Sequence, residues 1–234
     1  MKPKDLKKLI DGKRRSAEPL TPEEKAKGFK GWYSSKHLPH FDSQGAQQYI
    51  TYRLSDSLPA ERRSEWEALL AIEDNLEKQR KLEEYLDRGL GACHLRDSRI
   101  ARIVQENMWH YDGTLYRLLA WVIMPNHVHA LIEVWHRPLG EIMKSWKSYT
   151  CREANRLLGC DSTFWQEDYF DRYIRDEDHF RRVVRYIENN PVKAGLVRMA
   201  AEWPWSSAHY RNQAGTSEKT LVHPAARRIP GTPP

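Results

Sequence analysis

The chain has 234 residues, enough for one large domain or for one domain with an arm and an insertion. Hydrophobic residues make up 40% and charged residues 30%, which suits a soluble protein with a sizeable core. The longest apolar run, Leu118–Pro125, is far below the ~20 residues of a membrane helix, and the charged start MKPKDLKKLIDGKRR has no apolar run of a secretory signal. Three cysteines, none in C-x-x-C spacing, argue against a disulfide framework or a thiolate zinc site and predict a cytoplasmic protein.

The net charge of +6 is uneven. Residues 1–30 carry ten basic and five acidic side chains, leaving 28 against 27 in the body. Such an arm can grip phosphates or can be a solvated tail, and composition does not separate the two. We read residues 1–30 as a basic flexible arm, 31–210 as the main domain and 211–234 as a C-terminal tail.

In chain order, GWYSSKHLPHFDS (Gly31–Ser43) reads as loop, and QQYITYRL (Gln47–Leu54) as a strand closed by Ser55-Asp56-Ser57 and Pro59. A charged helical stretch from Glu61 to about Arg88 looks like an insertion, at about residues 60–90, or a clamp on the sheet. Asp97 can cap a helix to Trp109, with Ile100, Ile103, Val104 and Met108 on one face. Two apolar strands follow, Leu115–Met124 and His127–Trp135, joined around Pro125-Asn126. Leu139–Leu158 reads as a helix and Phe164–Arg175 as an aromatic segment ending in a short strand. Asp176 then caps a helix from Glu177 to about Asn189, with Phe180, Val183, Val184 and Ile187 inward. This order predicts an α+β fold, an antiparallel sheet with helices packed on it.

Alternation along a strand puts His127 and His129 on one face with Glu133, and Val128, Ala130, Ile132 and Val134 on the other, for a helix layer to cover. Two adjacent imidazoles could hold a divalent metal or could be two satisfied histidines at a strand end. Tyr186 and Asn190 are one helical turn apart on the flank of their helix, although Asn190 precedes Pro191, which disfavours helix there. On spacing alone, an ordinary boundary tyrosine followed by a helix-stopping Asn-Pro is the better reading. Taken together the parts are chemically coherent: a phenol can attack a phosphodiester, and a metal polarises the phosphate. Imidazole favours Zn²⁺, whereas amide and phosphate oxygens suit Mg²⁺ or Mn²⁺.

WVIMPNHVHALIEV (Trp121–Val134), FWQEDYFDRYIRDEDHFRRVVRYIENNPVKAGLV (Phe164–Val197) and EWPWSSA (Glu202–Ala208) resemble the REP-associated tyrosine transposases, part of the single-tyrosine HUH superfamily. GWYSSKHLPHFDS is similar to that group's N-terminal stretch. The resemblance implies a ferredoxin-like sheet of the HUH endonuclease fold and metal-dependent cleavage and rejoining of single-stranded DNA at hairpin-forming repeats. It implies a covalent 5′-phosphotyrosine on Tyr186, with His127, His129 and Asn190 as ligands of Mg²⁺ or Mn²⁺. The related insertion-sequence enzymes carry Gln at the place of Asn190. Arg172, Arg182, Arg185 and Lys193 surround the expected site as candidate DNA contacts. A water-using metal nuclease and a non-catalytic repeat-DNA-binding protein are the alternatives. One complete Tyr-plus-HUH set per chain fits a monomer better than a dimer, with no membrane partner.

Several other residues have structural readings. Tyr149 falls near the apolar face of its helix and is expected to pack in the core. Tyr169 and Tyr173 share a strand face with Asp171, and Trp203 and Trp205 are expected to pin the C-terminal segment. Glu133 is a candidate acceptor for an imidazole N–H.

Overall fold

The structure is a computed structural model that describes residues 19–35, 38–72 and 75–214. Most of the expected basic arm and nearly all of the expected tail lie outside the described residues. A short helix, α1 (Pro22–Ala26), opens the described part, with Thr21 and Glu24 exchanging bonds as a capping box. Glu24 also accepts from the Ser43 hydroxyl at 2.9 Å and the Gln44 N–H at 3.0 Å, so this end of the arm is tied to the body.

The stretch expected to be loop is a hairpin. Strands β1 (Gly31–Ser35) and β2 (Leu38–Asp42) pair antiparallel, Gly31 opposite Asp42. Trp32 and Phe41 face each other across it, ring centroids 5.0 Å apart. Cross-strand aromatic packing of this kind favours pairing that Gly31 and Pro39 conceal in the sequence.

Strand β3 (Gln47–Arg53) leads into the insertion, which is two helices, α2 (Arg63–Leu70) and α3 (Asn75–Asp87). Helix α4 (Ser98–His110) follows, with the Asp97 carboxylate accepting the Arg99 N–H at 2.9 Å as its cap. Then come β4 (Tyr116–Ile123), β5 (His127–Val134), α5 (Leu139–Leu158), β6 (Phe170–Tyr173), α6 (Glu177–Lys193) and α7 (Ser207–Ala214). None of the described helices is long and apolar enough to cross a membrane.

The main sheet has the order β4-β5-β3-β6, and every neighbouring pair is antiparallel. Running β3-α4-β4-β5-α5-β6 through that order gives the ferredoxin-like βαββαβ topology, with α2 and α3 inserted in the first crossover. The fold is therefore α+β, as the order of elements predicts.

One face of β5 presents Val128, Ala130, Ile132 and Val134 to Ile100, Val104 and Met108 of α4 and to Ile142, Met143 and Trp146 of α5. The other face carries Leu131, with Tyr49 of β3 and Val122 of β4, against Phe180, Val183, Val184 and Ile187 of α6. A β-bulge between Leu118 and Ala120 shifts the β4 register, and Leu118 joins the first core while Ala120 joins the second. Each fully buried aliphatic side chain contributes ~1.5–3 kcal/mol, so α6 is held firmly on the face that carries the histidines.

Helix α6 also runs through Pro191 to Lys193, past the end that Asn-Pro suggests. Ile187, Asn190 and Pro191 are all buried, and that packing outweighs the local preference against helix before proline. Asn190 thus lies on true helix, one turn beyond Tyr186. Trp203 and Trp205 do pin the C-terminal segment: the Trp203 indole donates to the Ile123 carbonyl at 2.9 Å, and the Ile123 N–H donates to the Trp205 carbonyl at 2.8 Å.

Candidate active site

Strand alternation places both imidazoles on the α6 side of β5, and both are fully buried. Their Nε2 atoms stand 3.1 Å apart, with the rings at 76°. What holds them is at the other ring nitrogen. Nδ1 of His127 lies 2.8 Å from the Asn126 Oδ1, and the Asn126 amide nitrogen donates to the Leu90 carbonyl at 3.0 Å. With the amide oriented in this way, His127 Nδ1–H is the donor and Nε2 keeps its lone pair. Nδ1 of His129 lies 2.8 Å from both the Thr51 hydroxyl and the Tyr49 hydroxyl, and Tyr49 donates to Glu83 at 3.3 Å. That network assigns the same tautomer to His129.

Burial pushes the His127 imidazole down to about 3, with Lys193 adding to the shift. Burial also lowers His129, with His127 and Lys193 reinforcing it. Both rings are therefore neutral at neutral pH, and two lone pairs face each other. Two nitrogens bound to one ion at about 2.1 Å stand roughly 3 Å apart in adjacent positions, so the observed spacing fits a shared cation. Among the described residues, no three His, Cys, Asp or Glu side chains are gathered as a metal-binding group. Further donors therefore have to be an amide or hydroxyl oxygen, or a carboxylate standing farther from the pair than a formed ligand group requires.

Tyr186 and Asn190 come from α6. The Tyr186 ring meets His129 edge-on at 5.5 Å and Tyr49 at 6.1 Å. Its hydroxyl is buried, with Glu83 and Tyr49 as polar neighbours. Burial raises its proton affinity well above that of an ordinary phenol, and the charges of Glu83 and Asp87 raise it further. Asn190 is fully buried, and neither atom of its amide has a partner. Leaving a buried amide group unpaired costs roughly 1–3 kcal/mol, a cost that a ligand reaching Asn190 would remove.

Lys193 completes the flank. Its ammonium sits 5.8 Å over the Tyr186 ring and 3.1 Å from Asp87 Oδ2. Arg172 and Arg182 gather with Arg175 around His179, whose pKa is lowered by burial and then by these three charges. Arg185 is exposed on α6.

Two expectations are corrected. Glu133 does not reach an imidazole; it accepts the Trp135 indole N–H at 2.9 Å, because the histidines find closer partners in Asn126, Thr51 and Tyr49. Tyr149 is 42% exposed with Arg152 against its ring, since Trp146 and Thr150, one turn apart, take the inward positions of α5. Tyr169 and Tyr173 serve structure as expected, packing on His40 and Phe41 of the hairpin. Sequence reading missed Tyr49, Thr51, Glu83, Asp87 and Asn126. Only Asn126 carried a local signal, as the neighbour of His127.

Residues 95–190 match the family model described as "Transposase IS200 like". Over that segment the chain is similar to these transposases. The IS200-like segment includes His127, His129, Tyr186 and Asn190, and it begins after the insertion. The chain is 30% identical over 96 residues to the REP-associated tyrosine transposase of Escherichia coli K12, covering 40% of this chain and 55% of that protein. The resemblance to the REP-associated tyrosine transposases is borne out, although the chain spans little more than half the length of the curated relatives it matches. A solved structure described as the REP-associated tyrosine transposase bound to a REP hairpin is 17% identical, covers 81% of this chain and 93% of that one, and superposes with a TM-score of 0.48.

Proposed function

We propose that the chain is a single-tyrosine DNA strand transferase that cuts and rejoins single-stranded DNA at hairpin-forming repeats, with residues 31–210 as the catalytic domain. The observation that carries this reading is the approach of two neutral imidazole Nε2 atoms to 3.1 Å, with the Tyr186 ring 5.5 Å from His129 and the unpaired Asn190 amide one turn further along α6. His127, His129 and Asn190 would hold Mg²⁺ or Mn²⁺, with the amide oxygen as the third donor. The bound ion would polarise the scissile phosphate and offset its developing charge.

Tyr186 is the nucleophile. Its hydroxyl keeps its proton in the closed, buried site and gives it up only when positive charge and substrate arrive. The Tyr186 Oη forms a bond to phosphorus as the bond from phosphorus to the leaving O3′ breaks, and that oxygen takes up a proton to become a free 3′-OH. The 5′-phosphotyrosine keeps the bond energy, so attack by a 3′-OH releases Tyr186 and reseals DNA without ATP. Arg172, Arg182, Arg185 and Lys193 bind phosphates along the strand and hold its register.

The test uses purified protein, Mg²⁺ or Mn²⁺ and labelled single-stranded hairpin repeats, resolved on denaturing gels. Wild type should give a protein–DNA adduct that survives denaturation, and Tyr186→Phe and His127→Ala should not. Cleavage without adduct in Tyr186→Phe would mean that water is the nucleophile. Tight hairpin binding with no cleavage would leave a repeat-binding protein.

A further inference from the structure

The insertion that interrupts the first crossover ends at Asp87, the last residue of α3. Tyr85 and Leu86 just before it are buried, which fixes the backbone that delivers this carboxylate. The Asp87 side chain is only 10% exposed, and its two oxygens differ. Oδ2 accepts from the Lys193 ammonium at 3.1 Å. Oδ1 has no hydrogen-bond partner and lies 3.9 Å from His127 Nε2.

We propose that Asp87 of the helical insertion is a further donor to the divalent cation held by His127, His129 and Asn190. The inference rests on the reading that those three residues hold a cation. Distance permits it: two donors at about 2.1 Å from one ion are at most ~4.2 Å apart, and 3.9 Å is inside that reach. Chemistry favours it as well. Two imidazoles and an amide offer one oxygen and no negative charge, whereas Mg²⁺ and Mn²⁺ prefer oxygen ligands and are usually bound through a carboxylate. A buried carboxylate oxygen without a donor is also costly, and a cation removes that cost. The insertion is then a wall of the catalytic centre, built from residues that precede the IS200-like segment.

The experiment is a calorimetric titration of Mn²⁺ into the metal-free full chain, without DNA, with thermal melts to confirm that each variant is folded. Asp87→Ala should weaken Mn²⁺ binding by roughly 10- to 100-fold, and the isosteric Asp87→Asn should also weaken it, keeping the test valid if the alanine variant fails to fold. Lys193→Met should leave binding unchanged or tighter, because it frees the carboxylate. Wild-type affinity in Asp87→Asn would overturn the proposal. So would an equal loss in Lys193→Met and Asp87→Asn, which would make Asp87 a structural ion-pair partner only. Unchanged Mn²⁺ binding in His127→Ala, or none in wild type, would instead overturn the reading of the histidines as ligands, and the Asp87 proposal with it.

Discussion

Asn126 fixes the ring of His127: its side-chain oxygen lies 2.8 Å from Nδ1 while its amide nitrogen is anchored on the Leu90 carbonyl. The imidazole can neither flip nor change tautomer without breaking that pair. Asn126→Ala should therefore weaken divalent-cation affinity by roughly 10- to 100-fold while leaving the fold intact, measured by Mn²⁺ titration beside a thermal melt. Unaltered affinity would mean that the ring is held by packing alone.

His40 gives a pH-dependent prediction. It is fully buried on the hairpin and pairs with Asp171 and, at 3.6 Å, with Asp168. Burial by itself would lower its pKa, but bonds to Asp168 and Asp171 and their charges raise it to about 9. A folded-state value above the unfolded one means that the folded state holds the proton more tightly. The contribution is fully present below about pH 6.5 and is lost as pH rises through about 9. Its size is on the order of 2–3 kcal/mol. Lys147, pushed down to about 8 by burial, acts with the opposite sign above that pH. The measurement is therefore the difference in urea stability between wild type and His40→Gln, which should shrink from pH 6 to pH 9.5. A pH-independent difference would show that His40 acts by packing alone.

Trp203 is half-buried against the α6 side of the sheet and donates to the Ile123 carbonyl at 2.9 Å. Trp203→Ala should cost roughly 2–3 kcal/mol, below the 3–5 of a fully buried tryptophan. Denaturant unfolding reads this directly. A loss under about 0.5 kcal/mol would mean that the C-terminal segment is held elsewhere.

Arg182 is exposed on the same flank of α6 as Tyr186, one turn before it. Arg182→Gln should weaken single-stranded hairpin binding about equally for all sequences and reduce the slope of log affinity against log salt by about 0.7. Fluorescence anisotropy at several salt concentrations measures both. An unchanged slope would remove Arg182 from the phosphate contacts.

Much of this was legible in the sequence because its signals are local. Helix α5 falls where its apolar period puts it, Leu139–Leu158, and the split of β5 into a histidine face and an aliphatic face follows from strand alternation. The hairpin was hidden because Gly31 and Pro39 read as breakers, while the aromatic contacts that favour it join separate strands. Pro191 misled in the same way, since local preference marks a helix end that buried neighbours override. Thr51 meets His129 only because the β3–β5 register sets them opposite. Glu83 and Asp87 were harder still: the helix that carries them reads as a charged surface, and tertiary packing alone brings it to the histidines.

The proposed nucleophile and the proposed amide donor ride on one rigid rod, α6, whereas the imidazoles are fixed to a strand of the sheet. Any tilt of α6 that carries a covalently attached DNA end away from β5 would also pull Asn190 out of the cation's coordination shell. Strand exchange and loss of the ion would then be geared together. The protein would be unable to swing its cargo while remaining primed to cut.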